Sequence, residues 1–327
     1  MRAMKTQTAG LVCIAALTSS SAEFVFAQSY PAKAIRIVVP QAPGAASDLF
    51  TRLLGQKLSE SLGQPVFNDA RPGAGGALGA EVAARAAPDG YTLLMGTNST
   101  HGSNPALYPK LAYDPIRDFA PITLTLGTPY VLTVHPSLPV TTLQQLIAYT
   151  KSRPAQLNYA SAGNGSTHHF CGELLKSMAG IDIVHVPYKG GPPSITAVLG
   201  GEVSILFSVV STLHPHIKSG KLKALGVTTA RRSSLLPEVP TMAEAALPDF
   251  EMLSWFGLLA PAATPRAIIN RLHTETIRAL SRPDIKSVIA AQGSEILSGT
   301  PDQFADYIKA EIERIGRIAQ AAGIKAE

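Results

Sequence analysis

Residues 34–50 read AIRIVVPQAPGAASDLF, and this stretch contains the structural unit that recurs along the chain. Its first six residues form a short, mainly apolar run rich in β-branched side chains, which is typical of a buried strand. A loop with Pro43 and Gly44 follows, and a helix then begins with Ser47 as its predicted N-cap. Apolar side chains recur four residues apart along this helix until Gly63 ends it. The stretch therefore predicts a strand, a glycine-containing turn and an amphipathic helix.

Later segments repeat this order. Further strands are predicted at residues 65–67, 91–95, 130–134, 157–160, 183–186, 203–207, 222–227 and 255–259, and helices at residues 77–87, 142–151 and from 168 onwards. Thr264-Pro265 and Thr300-Pro301 each resemble a helix cap followed by proline at the first helical position. Because strands alternate with helices, the expected class is α/β, with a mainly parallel sheet covered on both faces.

The length of the chain is sufficient for two α/β units, which could form two lobes. The chain is expected to cross between them near residues 124–130 and again near residues 248–255. If the second crossing returns the chain to the first lobe, the C-terminal helices pack on that lobe. This layout assigns residues 28–126 and 252–327 to lobe 1 and residues 127–251 to lobe 2.

The N-terminus has the order of a secretory signal, with Arg2 and Lys5 before an apolar stretch at residues 11–17. Residues 25–27 resemble a signal peptidase site, and the apolar stretch is shorter than the roughly 20 residues that span a bilayer. We therefore expect a signal peptide at residues 1–27, cleavage after Ala27 and a periplasmic location.

Charge and cysteine usage narrow the possible functions of the exported chain. It has 26 basic and 22 acidic side chains, a mild excess without a basic run, so a nucleic-acid partner is not indicated. This net charge weakly favours anionic ligands. Only Cys171 remains after cleavage, so no disulfide can form within the chain.

Three glycine-containing loops lead from predicted strands into predicted helices, at residues 43–48, 73–76 and 162–167. In open α/β sheets, ligands bind beyond the carboxyl ends of the strands, where these loops are expected to lie. Glycine allows the backbone N–H groups to approach a ligand closely, and each helix start carries roughly half a positive charge. The loops could therefore hold a carboxylate by amides and hydroxyls, without an arginine.

Other chemistries fit less well. Leu78 occupies the third glycine position of a dinucleotide-binding motif, and no Gly-Lys-Ser/Thr loop for phosphate is present. His168 with Cys171, or His169 with Glu173, are spaced on a helix so that either pair could contact a metal. The simpler interpretation is that Cys171 is a buried thiol, that His169 and Glu173 form a solvated pair, and that His168 faces the ligand loop. Nucleophilic catalysis lacks both a Gly-x-Ser-x-Gly turn and a partner set for a serine.

Several segments together resemble the Bug family of extracytoplasmic solute receptors, the binding components of tripartite tricarboxylate transporters. The resemblance runs from about Tyr30 to the C-terminus. The segments that carry it are VP at 39–40 with Pro43-Gly44 and Asp48, RPGAGG at 71–76, APDGYTLL at 87–94, NPALY at 104–108, YDP at 113–115, ASAGNGST at 160–167, VHVPYKGG at 184–191, PEVPT at 237–241 and SWFG at 254–257.

The resemblance implies a type II periplasmic-binding-protein fold, in which two α/β lobes enclose a ligand cleft. It also implies a carboxylate held largely by loop backbone, with ordered waters bridging. Together, the loops and the resemblance give a set of candidate ligand-binding residues, namely Pro43, Gly44, Ala45, Ala46, Ser47, Asp48, Gly75, Gly76, Thr97, Asn98, His101, Gly163, Asn164, Gly165, Ser166, Thr167, His168, Tyr188, Ser208 and Trp255. Trp255, the only tryptophan, could instead be a core residue or a reporter of hinge movement.

Two departures from the family pattern bear on the ligand. Ala45 stands where the first loop often has a second glycine, and Ser208-Val209 stands where a more polar pair is frequent. The second departure makes the far wall of the cleft less polar, which favours a carboxylate with an apolar or aromatic body over one with a second charged amino-acid end.

The function expected from the sequence is capture of a small organic carboxylate by cleft closure, followed by delivery to a membrane permease. No cofactor or metal is expected, and the protein is expected to act as a monomer and not as an enzyme. One alternative is a receptor that presents its ligand to a membrane sensor kinase. A second alternative is an exported hydrolase or metalloenzyme on the same fold.

Overall fold

The computed structural model describes residues 30–108 and 110–324. The predicted signal peptide lies outside the described residues. In the part of the chain that is described, no helix is both long and apolar enough to cross a membrane.

The described residues form ten strands in one curled, mixed sheet. The strands are β1 (Ile35–Val39), β2 (Val66–Ala70), β3 (Thr92–Thr97), β4 (Phe119–Val134), β5 (Asn158–Ser161), β6 (Val184–Pro187), β7 (Ile205–Val209), β8 (Lys223–Val227), β9 (Leu253–Pro261) and β10 (Glu295–Ile296). Their order is β2-β1-β3-β9-β4-β7-β5-β6, with β8 and β10 paired to β4.

The sheet is parallel only at its two flanks. β1 pairs in parallel with β2 and β3, and β5 pairs in parallel with β6 and β7, whereas every described pair that involves β4 or β9 is antiparallel. The prediction of a mainly parallel sheet was therefore wrong at its centre. The physical reason is that β4 carries the chain from one lobe to the other and β9 follows its return, so the two run in opposite directions side by side.

β4 belongs to both lobes. From Phe119 to Pro129 it pairs with β9, and from Tyr130 onwards it pairs with β7 and β8. The sequence pattern predicted only the second part of this strand. Pro121 lies beside an irregularity in the pairing with β9, which is where a strand tolerates proline, and the resulting break in the pattern concealed the first part.

Eleven α-helices accompany the sheet within the described residues. They are α1 (Ala46–Leu62), α2 (Ala77–Ala84), α3 (Asn104–Leu107), α4 (Leu143–Lys151), α5 (Thr167–Ala179), α6 (Gly191–Leu199), α7 (Val210–Lys218), α8 (Met242–Ala245), α9 (Arg266–Leu280), α10 (Pro283–Ala291) and α11 (Pro301–Ala322). A 3₁₀ turn (Ala74–Gly76) precedes α2, and a π-helical turn (Ser99–Ser103) precedes α3.

The helix starts differ in part from the sequence prediction. Thr300 caps α11 as expected, in a reciprocal arrangement with Gln303. Thr264 does not cap α9, because Pro265 has an extended ψ of 137° and is itself the residue that precedes the first helical turn. Ser47 does not cap α1 either, since that helix begins at Ala46, two residues earlier than predicted, and Ala45 occupies the N-cap position.

Helix α11 packs against the cores of both lobes. Phe304 and Ile308, near its start, pack with Trp255 in lobe 1, whereas Ile315 and Ala319, near its end, belong to the core formed by β4, β5, β7 and α5. The C-terminal helix is thus an apolar connection between the lobes in addition to the two crossings.

A close approach between β9 and α11 allows a stability test. A Cβ atom added at Gly257 would lie 2.2 Å from Cζ of the buried Phe304, so we expect Gly257→Ala to lower the free energy of unfolding by roughly 1–3 kcal/mol. The matched control is Gly316→Ala in α11, where the added Cβ meets no described atom within 4 Å. That change should raise stability by about 0.5–1 kcal/mol because alanine favours the helix. Urea unfolding followed by circular dichroism measures both, and equal effects would contradict the packing at Gly257.

Candidate functional site

The first loop ends at a helix start that has no side-chain cap. Helix α1 follows the carboxyl end of β1, and its N-cap residue, Ala45, has no polar side chain. The first helical N–H with a backbone acceptor is that of Leu49, which donates to Ala45 O at 3.0 Å. The amides of Ala46, Ser47 and Asp48 precede the first helical hydrogen bond, and therefore point out of the helix end. Together with the positive end of the helix dipole, these amides are able to bind an anion.

The Asp48 side chain supports this loop from the inside. Its carboxylate accepts hydrogen bonds from Gly44 N at 2.9 Å, Asn68 Nδ2 at 2.9 Å and Arg52 Nε at 3.0 Å, and the residue is 1% exposed. Burial alone would raise the pKa of Asp48, but these three donors outweigh it and the pKa lies below its usual value. Asp48 is therefore ionised and bonded within the loop.

The second loop ends at the start of α5 and is shaped by two glycines. Gly163 and Gly165 have φ angles of 120° and 70°, which side chains with a Cβ rarely adopt. Ser166 is the N-cap and accepts a hydrogen bond from His169 N at 3.3 Å. The amides of Thr167 and His168 come before the amide of His169, which is the one bonded to the cap. They therefore point out of the helix start, as the first amides of α1 do.

His168 brings a polar side-chain atom to the same helix start. The residue is 7% exposed, its ring packs edge-on against Tyr130 with centroids 5.3 Å apart, and its Cε1 lies close to Gly191 at the start of α6. Its Nδ1 is buried without a hydrogen-bond partner in residues 30–108 and 110–324. Burial lowers the pKa of His168 to about 4, so the ring is neutral near pH 7.

A series of contacts connects the glycine loops of the two lobes. Asn104 Nδ2, at the start of α3, donates to Gly75 O at 3.2 Å. Three residues later, Leu107 packs so closely on the second loop that a Cβ at Gly165 would lie 2.4 Å from its Cδ1. Helix α3 thus contacts the loops at residues 73–76 and 162–167, and Gly76 lies beside Pro40, three residues before the loop at residues 43–48.

Four predicted site residues lie deeper in lobe 1, and among the described residues neither Nε2 of His101 nor Nε1 of Trp255 has a hydrogen-bond partner. Asn98 donates to Leu253 O at 2.7 Å and accepts from Trp255 N at 2.6 Å, so it ties the end of β3 to β9. Thr97 N donates to Thr100 Oγ1 at 3.0 Å. His101 and Trp255 are fully buried, and Trp255 packs edge-on against Phe304 of α11.

The remaining predicted residues lie in lobe 2. Tyr188 is partly buried, and its amide donates to Ser161 O at 3.0 Å, which places its loop beside Gly163. Ser208 is 3% exposed and lies opposite Val131 near the carboxyl end of β7.

The His-His-Phe-Cys-Gly-Glu segment differs in one respect from its prediction. Cys171 is buried as expected, and burial raises the pKa of its thiol. The prediction of a solvated pair was wrong, because His169 and Glu173 are each 7% exposed and Glu173 accepts a hydrogen bond from Tyr159 Oη at 2.7 Å. The described residues contain no group of three or more His, Cys, Asp or Glu side chains arranged to hold a metal ion.

A large cavity lies away from the loops. Its volume is about 530 Å³, and it lies between α5 and the end of α11, where Glu173, Lys176 and Arg317 line it. Three smaller cavities in the described part of the chain are likewise not lined by residues 43–48, 73–76 or 162–167. The loops, in contrast, present helix-start amides and the buried His168 nitrogen.

Sequence reasoning missed residues that support the loops from other elements. Asn68 of β2 holds Asp48, Tyr130 of β4 packs on His168, and Asn104 and Leu107 of α3 connect the loops. Asn104 and Leu107 could have been found, because the NPALY segment at residues 104–108 is one of the segments that carry the family resemblance. Asn68 and Tyr130 had no comparable local pattern, since their role arises from contacts across the sheet.

Two lobes joined by antiparallel crossings, with glycine loops and helix starts brought together, define the class of two-lobed solute-binding proteins with the periplasmic-binding-protein fold. The sequence model of the family described as "Tripartite tricarboxylate transporter family receptor" matches residues 50–324, and the chain belongs to this family.

Curated relatives and solved structures agree with this assignment. The protein BugT of Bordetella pertussis is 36% identical over 321 residues, which cover 98% of each chain. The structure described as "R. palustris Rpa4515 with adipate" is 36% identical, covers 90% of this chain and 99% of its own, and superimposes with a TM-score of 0.78. The structure described as "MatC (Rpa3494) from Rhodopseudomonas palustris with bound malate" is 34% identical, covers 88% and 99% of the two chains, and has a TM-score of 0.74.

Proposed function

We propose that this receptor captures a small organic carboxylate between the first loop of lobe 1 and the α5 start of lobe 2. The observation that carries the proposal is the uncapped start of α1, where the amides of Ala46, Ser47 and Asp48 are available to an acceptor. A carboxylate supplies the acceptor that this helix end lacks, and it benefits from the helix dipole. The adipate and malate in the two related structures support this class of ligand.

Lobe 2 contributes the second half of the binding position in this proposal. The amides of Thr167 and His168 and the buried His168 Nδ1 provide donors on the opposite side. Because the ring is neutral, it can place its proton on Nδ1 and donate to the ligand, while its burial disfavours a charged imidazolium. Pro43, Asn164, Tyr188 and Ser208 belong to the proposed wall of the cleft, and Asn98, His101 and Trp255 support it from behind.

The body of the ligand is proposed to be apolar or aromatic. Ser208 and Val209, at the end of β7, give this region no charged side chain to pair with an amino group or a further carboxylate. A buried, unpaired charge on the ligand would be costly in such surroundings. Ligands with an apolar segment beside one carboxylate avoid this cost.

Closure of the lobes is the proposed mechanism of capture. Ligand contacts from both lobes favour the closed form only to the extent that they are absent in the open form. The proposed division is residues 28–126 with 252–327 for lobe 1 and residues 127–251 for lobe 2. The change in the partners of β4 at Pro129 and Tyr130 supports a hinge close to the first of these boundaries.

The proposed setting is the periplasm, reached through a cleavable signal peptide at residues 1–27. There the closed, monomeric receptor would present its ligand to the membrane permease of a tripartite tricarboxylate transporter. Membership in this receptor family supports a transporter as the partner.

A thermal-shift screen of the purified protein against aliphatic and aromatic mono-, di- and tricarboxylates tests the ligand class. A ligand at a hundred times its dissociation constant should stabilise the protein by roughly 2.7 kcal/mol, which raises the melting temperature measurably. The corresponding neutral carboxamides are the matched controls and should give no shift. A screen in which no carboxylate binds would contradict the function, and one in which only aspartate, glutamate or citrate binds would contradict the apolar body.

A further inference from the structure

Two histidines outside the proposed ligand contacts hold the second loop in place. His169 Nδ1 accepts a hydrogen bond from the amide of Gly165 at 3.2 Å. The hydroxyl of Ser161 shares a hydrogen bond of 2.6 Å with His185 Nε2, and the same hydroxyl accepts from the amide of Gly163 at 3.1 Å. Each histidine therefore reaches one of the two glycines whose left-handed backbone gives the loop its shape.

The two imidazole rings are stacked on each other. The centroids of His169 and His185 lie 3.8 Å apart with an angle of 12° between the planes, and Tyr159 stacks on His185 at 4.9 Å. The stack lies beneath the loop, between α5, β5 and β6, so a change at either ring is transmitted to the backbone at Gly163 and Gly165.

The surroundings of the stack make a proton on either ring unfavourable. Glu173 is the nearby acid, but it already accepts hydrogen bonds from Tyr159 Oη at 2.7 Å and from Lys176 Nζ at 3.1 Å. Lys176 repels a further positive charge, and each imidazolium would repel the other at stacking distance. Burial and, to a smaller extent, the charge of Lys176 together lower the pKa of His169 to about 4. Burial and the neighbouring His169 likewise lower the pKa of His185 to about 4.

We infer that His169, supported by His185, is a positioning residue that holds the second loop in its ligand-binding shape only while its Nδ1 carries no proton. A proton on this atom would face the N–H of Gly165, so the hydrogen bond would be replaced by a repulsion between two donors. The inference rests on the proposed function insofar as the loop binds the carboxylate.

The direction of the pH dependence follows from the lowered pKa. A histidine is ordinarily half protonated near pH 6.5, but this ring stays neutral in the folded protein down to about pH 4. The contribution of this neutral ring to folding stability is complete above about pH 6.5 and decreases as the pH falls towards about 4, and in the folded protein the hydrogen bond to Gly165 is lost as the pH passes through about 4. Because binding involves the folded protein, ligand affinity should decrease as the pH passes through about 4.

The first experiment uses the full-length mature protein without ligand and is independent of the proposed function. In ¹H–¹⁵N spectra, we expect the Gly165 amide signal to move on acidification with a midpoint near pH 4 and to be displaced in His169→Leu already at neutral pH. His169→Asn places an amide oxygen where Nδ1 was, so it should retain the neutral-pH signal and lose the titration. A Gly165 signal that is insensitive to pH and to His169→Leu would overturn the inference.

The second experiment measures binding of adipate and malate by calorimetry across the same pH range. His169→Leu should weaken binding by roughly tenfold at neutral pH, the effect of one lost hydrogen bond, and His169→Asn should recover most of it. Comparison with His169→Asn also removes the contribution of the ligand's own protonation. His135→Asn, at a surface histidine bonded to Ser137, is the control and should behave like the unchanged protein. Equal acid weakening with and without His169 would overturn the pH role, whereas failure of both probes to bind would count only against the proposed function.

Discussion

Replacement of Ala45 by aspartate is expected to make the protein more stable and at the same time to lower its affinity for the ligand. A side-chain acceptor at the N-cap satisfies free amides of the first helical turn, which typically stabilises a protein by about 1 kcal/mol. Those amides, at Ala46, Ser47 and Asp48, are the ones that we propose bind the carboxylate. The new side chain would occupy the anion position from within, so we expect affinity to fall by more than about tenfold.

The two measurements are unfolding in urea and calorimetric binding of the carboxylate found in the screen. Ala42→Asp, on the exposed part of the same loop, adds the same charge without the N-cap geometry and is the matched control. It should leave stability nearly unchanged and weaken binding far less. If Ala45→Asp bound the ligand as well as the unchanged protein, the start of α1 would not be the carboxylate site.

Replacement of Asp48 by asparagine should cause the largest loss of stability among the loop variants. One carboxylate oxygen accepts hydrogen bonds from Gly44 N and Arg52 Nε, and the other accepts a hydrogen bond from Asn68 Nδ2. All three partners are therefore donors. In asparagine, one of the two oxygens is replaced by an NH₂ group. This group would face at least one of these donors, so two donors would meet without an acceptor between them. We expect the free energy of unfolding to decrease by roughly 3 kcal/mol.

The pH dependence separates this effect from a general loss of packing. Because the pKa of Asp48 is lowered, its contribution is complete above the ordinary value of 3.8 and is lost as the pH falls through the still lower pKa of the folded state. The difference between the two proteins should therefore shrink only under strongly acidic conditions. The control is Asp306→Asn, at an exposed carboxylate paired with Lys309, which should change stability by less than about 0.5 kcal/mol. If Asp48→Asn left both stability and affinity unchanged, Asp48 would neither support the first loop nor contribute to ligand binding.

The elements were largely predictable where one local pattern determined them. The β-branched run before Pro40 defined β1, Gly63 ended α1, and Thr300 capped α11 as the sequence indicated. The prediction failed at β4, because Pro121 breaks the strand pattern and only pairing with β9 completes it. The mixed character of the sheet was missed for the same reason, since no local pattern encodes the direction of a partner strand.

The candidate site, too, was only partly predictable from the sequence. The sequence identified the loops, because glycine followed by a helix start is visible in the order of residues. It could not distinguish His168, whose unpartnered Nδ1 lies at the start of α5, from His101, whose unpartnered Nε2 lies in the core against Phe119. It also did not indicate that His169 would pair with His185 beneath the loop.

The sequence by itself determined the α/β class, the positions of the glycine loops and the family resemblance. These properties depend on residues that are near one another in the chain, whose conformational preferences act locally. The tertiary structure alone decided that α3 connects the loops of the two lobes, that α11 joins their cores, and that the two histidines stack. These contacts join residues far apart in the chain, and their free energy comes from burial and hydrogen bonds that exist only after the chain has folded.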